Sequence, residues 1–393
     1  MLSYLKLKSI FFSIGLLLLS TAFLISGIGL MNTLVSLKFK MAGKSLVLIG
    51  YISAMYFSGM IIGSLKISKL IKTIGYSQSF ITLSSVMAIT VIFPIINDNM
   101  IIFSTCRFIQ GICISGLYII IESWILSSSS KKNRGKTLAI YMTVLYGSYS
   151  IGQFFLSKAT VNTIVPFCIS TILIVLSIIP LSGFSVTPPL FEEHKGTSLR
   201  KVFSASQSGF LGCLVSGIFI SAIFSILPLY IEDITNNTHR IILALVLTFM
   251  SGVVVQYPLG VMSDKFDRHK IQIILNTVFS IFLALFAILE YHKLVNYYIL
   301  LFIVVIIGTF SFTIYPISMN LVCDNLKKSQ IIQGMEALTI AFGIGSILGP
   351  LYTSVCIKFF GFYAYSASYL LLTIFLIVYT TLCVSTDKYK KHY

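Results

Sequence analysis

Apolar runs long enough to cross a membrane occupy most of the 393-residue chain. The hydrocarbon core of a bilayer is about 30 Å thick, so a helix that spans it needs about 20 predominantly apolar residues. The sequence predicts twelve such helices, at roughly 10–31, 46–65, 78–96, 101–126, 137–157, 162–184, 208–231, 240–262, 271–289, 297–322, 332–356 and 361–384. Because 56% of the residues are hydrophobic and only 10% are charged, a soluble domain would lack polar surface. The expected fold class is therefore all-α and integral to a membrane.

Basic residues are distributed unevenly between the segments that join these spans. With the N-terminus in the cytoplasm, 20 of the 28 lysines and arginines fall in cytoplasmic segments, seven fall outside and Arg107 lies within a span. This asymmetry predicts that both termini are cytoplasmic. The first outer loop, with Lys38, Lys40 and Lys44, goes against the rule. The placement of the +16 net charge points to lipid headgroups as its partner, and no nucleic acid is expected.

A polar interval at residues 185–207 follows the sixth predicted span and divides the chain. It predicts an N-terminal six-helix bundle over 1–184, a cytoplasmic linker over 185–207, and a C-terminal six-helix bundle over 208–393 with a short basic cytoplasmic tail. A faint internal repeat supports this division, because Gly152-Gln153 in span five matches Gly349-Pro350 in span eleven.

A glycine-led charged loop, Gly260 to His269, joins two spans of the second half. A tight turn between membrane helices needs a glycine where backbones approach, an acid near a helix N-terminus and basic residues beside headgroups. With Asp264, Lys265 and Arg268, the loop resembles the Gly-x-x-x-Asp-Lys-x-Gly-Arg-Lys/Arg loop of the major facilitator superfamily of transporters. It departs from that pattern at Asp267, where a second glycine is usual.

The corresponding loop of the first half keeps the second glycine, Gly75, but has Ser68 for the leading glycine and Lys72 for the acid. The resemblance implies that the charges of the Gly260 loop, together with Asp324, lock one conformation by salt bridges and contacts with helix ends. We therefore expect the two halves to lock unequally, with Asp264→Asn disturbing gating more than any change at Lys72.

Short matches along nearly the whole chain resemble the YcaD-type branch of bacterial transporters, among them Asn32-Thr33-Leu34-Val35, Asn133-Arg134-Gly135 and Leu227-Pro228-Leu229-Tyr230. The resemblance implies the twelve-helix major facilitator fold, two pseudo-symmetric six-helix bundles with a small-molecule substrate held between them. It implies a secondary transporter of the bacterial inner membrane that works by alternating access with a proton gradient, and we expect a monomer. Export is favoured over uptake by analogy. An uptake permease, and a non-transporting receptor or assembly factor on the same fold, remain alternatives.

Other classes lack the residues that they need. Two triads, Gly43-Lys44-Ser45 and Gly135-Lys136-Thr137, resemble the end of a phosphate-binding loop, but the required first glycine is Lys38 in one and Ser130 in the other. All five histidines lie in predicted loops or tails, and the sequence has no H-E-x-x-H motif. We expect no ATP-driven pump, no enzyme, no cofactor and no metal site.

Arg107 is the basic residue predicted inside the membrane. Burying an arginine there costs roughly 2.5–3.5 kcal/mol, so it should face a wet cavity. At 100° per residue, Tyr118 and Glu122 fall on the same helix face as Arg107. The run Arg107-Phe-Ile-Gln110 resembles the superfamily's arginine motif, which implies a position near the substrate and coupling site. A structural hydrogen bond to Asn32 is the alternative, and either a solute anion or Glu336 is a candidate counter-charge.

The acids and amides within the spans have two interpretations each. We expect Glu122 to join a salt-bridge network with Lys131, Lys132 and Arg134, with proton handling as the alternative. Glu336, just inside span eleven, either switches its protonation or caps a helix N-terminus. Amides within spans line a path or join helices, and here they are Gln110, Gln153, Gln256 and Asn320.

Two Gly-x-x-x-Gly pairs predict close helix packing in lipid, where small residues let backbones approach. They are Gly59 with Gly63 in span two and Gly345 with Gly349 in span eleven. In the superfamily fold these two helices face each other across the halves, so we expect the pairs to pack there.

Overall fold

The computed structural model describes residues 2–44, 46–96, 100–129, 134–157, 163–183, 199–235, 237–327, 330–361 and 364–390. Within these ranges the chain is helical apart from short turns, and it contains no strand. Most of the predicted linker, at 184–198, lies outside the described residues, as do Lys131 and Lys132.

Fifteen helices follow one another in the described part of the chain. They are α1 (Leu2–Met41), α2 (Leu46–Ser64), α3 (Ile67–Ile96), α4 (Met100–Ser128), α5 (Arg134–Ser157), α6 (Val165–Leu176), α7 (Ile179–Ser182), α8 (Leu199–Ala205), α9 (Gln207–Ser225), α10 (Leu227–Thr235), α11 (Thr238–Lys265), α12 (Arg268–Tyr291), α13 (Tyr297–Cys323), α14 (Ile331–Phe360) and α15 (Ala364–Lys390).

These helices make the twelve spans that the hydropathy predicted. Ten apolar stretches in the described chain are long enough to cross a membrane, α2 is a shorter apolar helix, and α5 is a more polar one of 24 residues. The sixth span is broken into α6 and α7, and the seventh into α9 and α10. Each break lies just before a proline, Pro180 or Pro228, which lacks an N–H and collides with the carbonyl four residues earlier.

The first half has an unusual break where its second span ends. α2 stops at Ser64, and the chain becomes helical again at Ile67 in α3. The turn towards the third span comes later, at Gly75, whose φ of 79° lies in the left-handed region that favours glycine. Because the first N–H groups of a helix have no partner within it, the restart at Ile67 leaves the N–H of Ser68 available to another helix.

The paired glycines pack helices within each half, so the expectation that they join the halves is wrong. A Cβ atom at Gly59 would collide with the carbonyl of Phe108 on α4, and one at Gly345 would collide with the carbonyl of Leu214 on α9. Gly63 and Gly349 are equally close to α4 and α9, respectively. Across the halves, α2 meets α14 through Gly343 and the side chain of Ile61. Small residues mark the closest approach, which here is to the helix's neighbour in its own bundle.

Candidate functional site

A cavity lies between the halves, with walls from α1, α2, α4 and α5 on one side and α9, α13 and α14 on the other. It contains about 930 Å³ of space outside the protein atoms, a figure that includes space open to solvent. Its polar and ionisable lining is Asn32, Ser36, Ser53, Tyr56, Arg107, Tyr118, Glu122, Tyr146, Tyr149, Ser225, Tyr315 and Thr339. Arg107, Tyr118 and Glu122 share one face of α4, as their spacing predicted.

The guanidinium group of Arg107 is held by two amides and a ring. It donates to Oε1 of Gln110 at 2.9 Å and to Oδ1 of Asn32 at 3.0 Å, and it lies 4.2 Å from the centroid of Tyr56. The amide group of Gln110 is oriented by a contact that depends on Pro94. Because Pro94 has no N–H, the carbonyl of Thr90 is left without its helical donor, and it accepts from Nε2 of Gln110 at 2.9 Å instead.

Both interpretations of Arg107, a structural hydrogen bond and a position at the cavity, therefore hold. It makes the hydrogen bond to Asn32, and it also lines the cavity although only 5% of it is exposed. Glu336 is not its counter-charge, because that carboxylate bonds elsewhere. Within the described residues no carboxylate lies within ion-pair distance of Arg107.

Glu122 lines the cavity, and among the described residues tyrosine hydroxyls contact it in place of the basic partners that the favoured interpretation expected. Its carboxylate accepts from the hydroxyl of Tyr315 at 3.1 Å and from that of Tyr141 at 3.3 Å. Arg134 points elsewhere and donates to the carbonyl of Cys323 at 2.6 Å. The expected pairing with Lys131 and Lys132 falls outside the described residues. Glu122 is only 2% exposed, and a carboxylate so buried would be expected to pair with a cation. No basic side chain of the described chain forms an ion pair with it.

A carbonyl freed by proline also joins the halves in the membrane. Pro316 leaves the carbonyl of Phe312 without its helical donor. That carbonyl accepts from Nε2 of Gln256 at 3.0 Å and, across the halves, from the hydroxyl of Tyr146 at 3.2 Å. Gln256 and Asn320 line a second, smaller cavity of about 250 Å³ between α5, α11 and α13, so neither belongs to the main cavity where they were expected.

The Gly260 loop meets the other half of the molecule at one end of the bundle, which we call the loop end. Asp264 accepts from the backbone N–H groups of Gly135 at 2.9 Å and Lys136 at 3.0 Å, in the first turn of α5. An acid is favourable there because the first N–H groups of a helix are unpaired and the dipole is positive. Gly260 and Gly135 are both required, since a Cβ atom at either would collide with the other helix.

A cluster of charges extends this contact. Arg268 donates to Asp264 at 3.0 Å and to Asp324 at 2.6 Å, and Asp324 also lies 4.0 Å from Arg134. The predicted neighbours Asp264, Arg268 and Asp324 are thus together, while Lys265 is exposed and makes no ion pair within the described residues. Asp267, which replaces the usual glycine, caps α12 by accepting from the N–H groups of His269 and Lys270.

Glu336 makes a second contact between the halves at the loop end. Its Oε1 accepts from the backbone N–H of Ser68 at 3.0 Å, at the point where α3 restarts. Glu336 thus caps a helix N-terminus, but that of α3 and not of its own helix. The first-half loop carries Lys72 in place of an acid, and the acid at this contact comes from the second half.

Three further ionisable contacts escaped the sequence-based reasoning. Glu290 is buried outside the cavity and accepts from the hydroxyls of Tyr230 at 2.8 Å and Ser366 at 3.0 Å. At the end opposite the loop, Lys40 of α1 forms an ion pair with Glu232 of α10, across the halves. Tyr146 and Tyr149 were also missed, but Met142, Leu145, Tyr146 and Tyr149 recur at helical spacing and would have predicted this face of α5.

Solved structures share this fold at low sequence identity. The Escherichia coli fucose:proton symporter FucP is 14% identical with a TM-score of 0.71, and the alignment covers 94% of this chain and 98% of FucP. The human organic anion transporter MFSD10 is 11% identical with a TM-score of 0.72, over 94% and 99% of the two chains.

Proteins found by sequence comparison have higher identity to this chain than these solved structures. A protein of Escherichia fergusonii described as the uncharacterized MFS-type transporter YcaD is 28% identical over 348 residues, which is 88% of this chain and 87% of the relative. Escherichia coli proteins of the same description match at 28% over 88% of each chain. The family model of the major facilitator superfamily matches residues 10–234 and 209–392. The chain therefore belongs to the major facilitator superfamily of membrane transporters.

Proposed function

We propose that the protein moves a small organic solute across the bacterial inner membrane by alternating access, coupled to protons through Glu122. The observation that carries this proposal is the cavity between the halves, with Arg107 and Glu122 on one face of α4. A solute bound there touches both bundles, so a change in their relative tilt exposes it to either side. The proton gradient is the energy source proposed, with no cofactor, and a monomer is sufficient because the cavity lies within one chain.

The loop end is the proposed cytoplasmic end. The positive-inside distribution of lysine and arginine supports this orientation, with both termini in the cytoplasm as part of the proposal. In this arrangement the contact of Asp264 with the N-terminus of α5 and the contact of Glu336 with the N-terminus of α3 hold the halves together on the cytoplasmic side. We infer that the structure represents the state closed to the cytoplasm, and that breaking these contacts opens the cavity inwards.

Glu122 is the proposed proton carrier in place of Glu336. Its hydrogen-bond donors are two tyrosine hydroxyls, so its carboxyl group can gain or lose a proton without breaking an ion pair. Glu336 bonds a backbone N–H at the loop end, outside the cavity. A proton on Glu122 changes the charge of the cavity that binds the solute. Proton binding and solute binding therefore affect each other's affinity. Export is the proposed direction, on superfamily analogy.

The test uses the purified protein in vesicles that contain the pH-sensitive dye pyranine. Small organic solutes are added singly, and the internal pH is followed with and without an imposed proton gradient. We expect at least one solute to move protons in vesicles with the wild-type protein and not in empty vesicles. Solute flux without proton movement would contradict the coupling, and the absence of flux for every solute would contradict transport.

A further inference from the structure

Arg107 is the basic residue that lines the cavity. The carboxyl group of Glu122 belongs to a residue fifteen positions further along α4, about 22 Å along the helix axis. Near Arg107 the partners are the neutral amides of Gln110 and Asn32 and the ring of Tyr56. A buried cation is costly unless an anion pairs with it, and this one has no carboxylate partner in the described chain. Its planar fork of N–H donors matches the oxygens of a carboxylate or phosphate.

The tyrosines of the cavity present rings more than hydroxyl groups. Tyr118 and Tyr149 bond each other through their hydroxyls at 2.7 Å, and the hydroxyl of Tyr146 bonds the carbonyl of Phe312. The hydroxyl of Tyr315 bonds Glu122. A polyol such as a sugar loses hydrogen bonds to water on binding, so it needs many free donors and acceptors in its site. The hydroxyls of Tyr118, Tyr146, Tyr149 and Tyr315 are already bonded within the protein, so they are not free to replace those hydrogen bonds.

Besides Ser36, Ser53, Ser225 and Thr339, the rest of the wall is largely apolar. The side chains concerned are Phe57, Met60, Leu145, Ile220, Phe224 and Phe342. Tyr149 also lies against Phe224, with ring centroids 5.0 Å apart, so aromatic faces from both halves border the space. Such walls bind flat or branched apolar groups by burying their surface and by ring contacts.

We propose that the solute is an amphipathic organic anion, with its charged group on Arg107 and an aromatic or branched apolar body among these rings. The inference rests on the proposed function, because it names the class of solute for the same cavity. A carboxylate and a phosphate both fit the fork of Arg107, and the experiment separates them.

The experiment measures thermal unfolding of the purified full-length protein in detergent, since a ligand that binds the folded state raises the midpoint. The probes are 4-phenylbutyrate, its neutral amide, the cation 4-phenylbutylamine, phenyl phosphate and D-glucose. We expect 4-phenylbutyrate or phenyl phosphate to raise the midpoint in a saturable way, and whichever does so identifies the anionic group. The amide, the amine and glucose should leave it unchanged.

Variants tie the effect to Arg107. Arg107→Gln should weaken anion binding roughly tenfold or more, because a charge-assisted hydrogen bond is worth about 1.5–3 kcal/mol. Arg240→Gln is the matched control, since Arg240 lies over the ring of Tyr297 away from the cavity and should bind like wild type. If Arg107→Gln does not fold, Arg107→Lys keeps the charge and should still bind less tightly, because lysine lacks the fork.

Three results would overturn the inference: neither anion stabilises the protein, the amine or glucose stabilises it more than the anions, or anion binding survives both changes at Arg107. Flux of radiolabelled 4-phenylbutyrate into vesicles separates this inference from the proposed function. Binding without flux supports the anion site and contradicts transport of it. Flux of glucose without any effect of the anions supports transport and overturns the inference.

Discussion

Two buried carboxyl groups, Glu122 and Glu290, have the same chemistry and different positions. Each accepts from two hydroxyl groups, those of Tyr141 and Tyr315 for Glu122 and those of Tyr230 and Ser366 for Glu290. Only Glu122 faces the cavity. A side chain that couples a proton to a solute must bind the proton and also lie in the cavity that binds the solute. Position in the cavity, and not burial alone, therefore distinguishes a coupling residue from a structural one.

We expect Glu122→Gln to remove the dependence of solute flux on a proton gradient, and Glu290→Gln to retain it. Glutamine keeps the size and hydrogen-bonding capacity of each site but cannot carry the proton. Coupling free energies of about 1–3 kcal/mol correspond to a change of roughly 5- to 150-fold in the affinity for the solute on protonation, and this change is what the variant should lose. The measurement is flux in vesicles with and without an acid interior or exterior. Equal gradient dependence in both variants and wild type would exclude Glu122 as the proton carrier.

At the scale of a helix pair, Gly59 sets how closely α2 approaches α4. A Cβ atom there would collide with a backbone carbonyl, which cannot move aside as a flexible side chain can. Gly59→Ala should therefore lower stability by about 1–3 kcal/mol, the usual cost of overpacking. Gly50→Ala, in the same helix, is the control, because a Cβ atom at Gly50 meets nothing within 4 Å. The thermal midpoints of the two variants in detergent decide, and equal midpoints would contradict this account of the packing.

The helices themselves were predictable because lipid leaves little choice. A backbone in hydrocarbon must satisfy its hydrogen bonds within its own helix, so long apolar runs predict spans almost wherever they occur. The partners of a span were harder to predict. The spacing of Gly59 and Gly63 shows that one face of α2 lacks side chains and can pack closely on another helix. It does not show whether that helix is α4 or α14. Gln110 and Gln256 likewise looked like path-lining amides, yet each bonds a carbonyl that a proline on another helix has freed.

The environment of Glu122 was unpredictable for a similar reason. The sequence places Arg134 nearby along the chain, but Tyr141 and Tyr315 reach the carboxylate from two other helices. The charge contacts of Asp264, Arg268 and Asp324 were predicted because the resemblance of the Gly260 loop implied them, although the partners of Asp264 on α5 lie 129 and 128 residues away. Long-range pairings such as Ser68 with Glu336, 268 residues apart, need the fold itself.

The two contacts at helix N-termini should differ in strength. Asp264 accepts from two backbone N–H groups and from Arg268, whereas Glu336 accepts from one N–H group. We expect Asp264→Asn to open the loop end most, by roughly tenfold or more, Glu336→Gln to open it less, and Lys72→Gln to have the smallest effect. For the two acids the order follows the number of hydrogen bonds removed, and Lys72 comes last because it is a partner in neither contact.

The measurement is the rate at which N-ethylmaleimide modifies a cysteine at position 263, introduced as Ser263→Cys into a variant without the seven native cysteines. Ser263 is buried beside the smaller cavity at the loop end, so its modification reports opening there. A larger effect of Lys72→Gln than of Asp264→Asn would show that the contacts of Asp264 do not hold this end closed.

Across the whole molecule, the two halves contribute opposite partners at the loop end. Both acids, Asp264 and Glu336, come from the second half, and both helix N-termini come from the first. At the first-half loop, where this chain has Lys72 in the position of the motif's acid, the carboxylate that contacts the helix N-terminus comes from Glu336 of the second half. At the other end of the molecule the halves are joined by Lys40 and Glu232. Polar contacts thus hold the halves together at both ends of the cavity, and the proposed alternating access requires the two sets to break in turn.

The ion pair of Lys40 with Glu232 accounts for one lysine that the positive-inside rule left unexplained, and it gives the last prediction. The side chains are 33% and 27% exposed, so the pair contributes only about 0.2–1 kcal/mol. Lys40→Glu or Glu232→Lys places like charges together and should open this end up to about fivefold, while the double reversal restores the pair.

A membrane-impermeant maleimide applied to a cysteine at Ser36, which lines the cavity, reports the opening. Lys44→Glu, at an exposed lysine outside the pair, should label like wild type. Failure of the double reversal to restore the wild-type rate would mean that the two side chains do not act on each other when the halves separate.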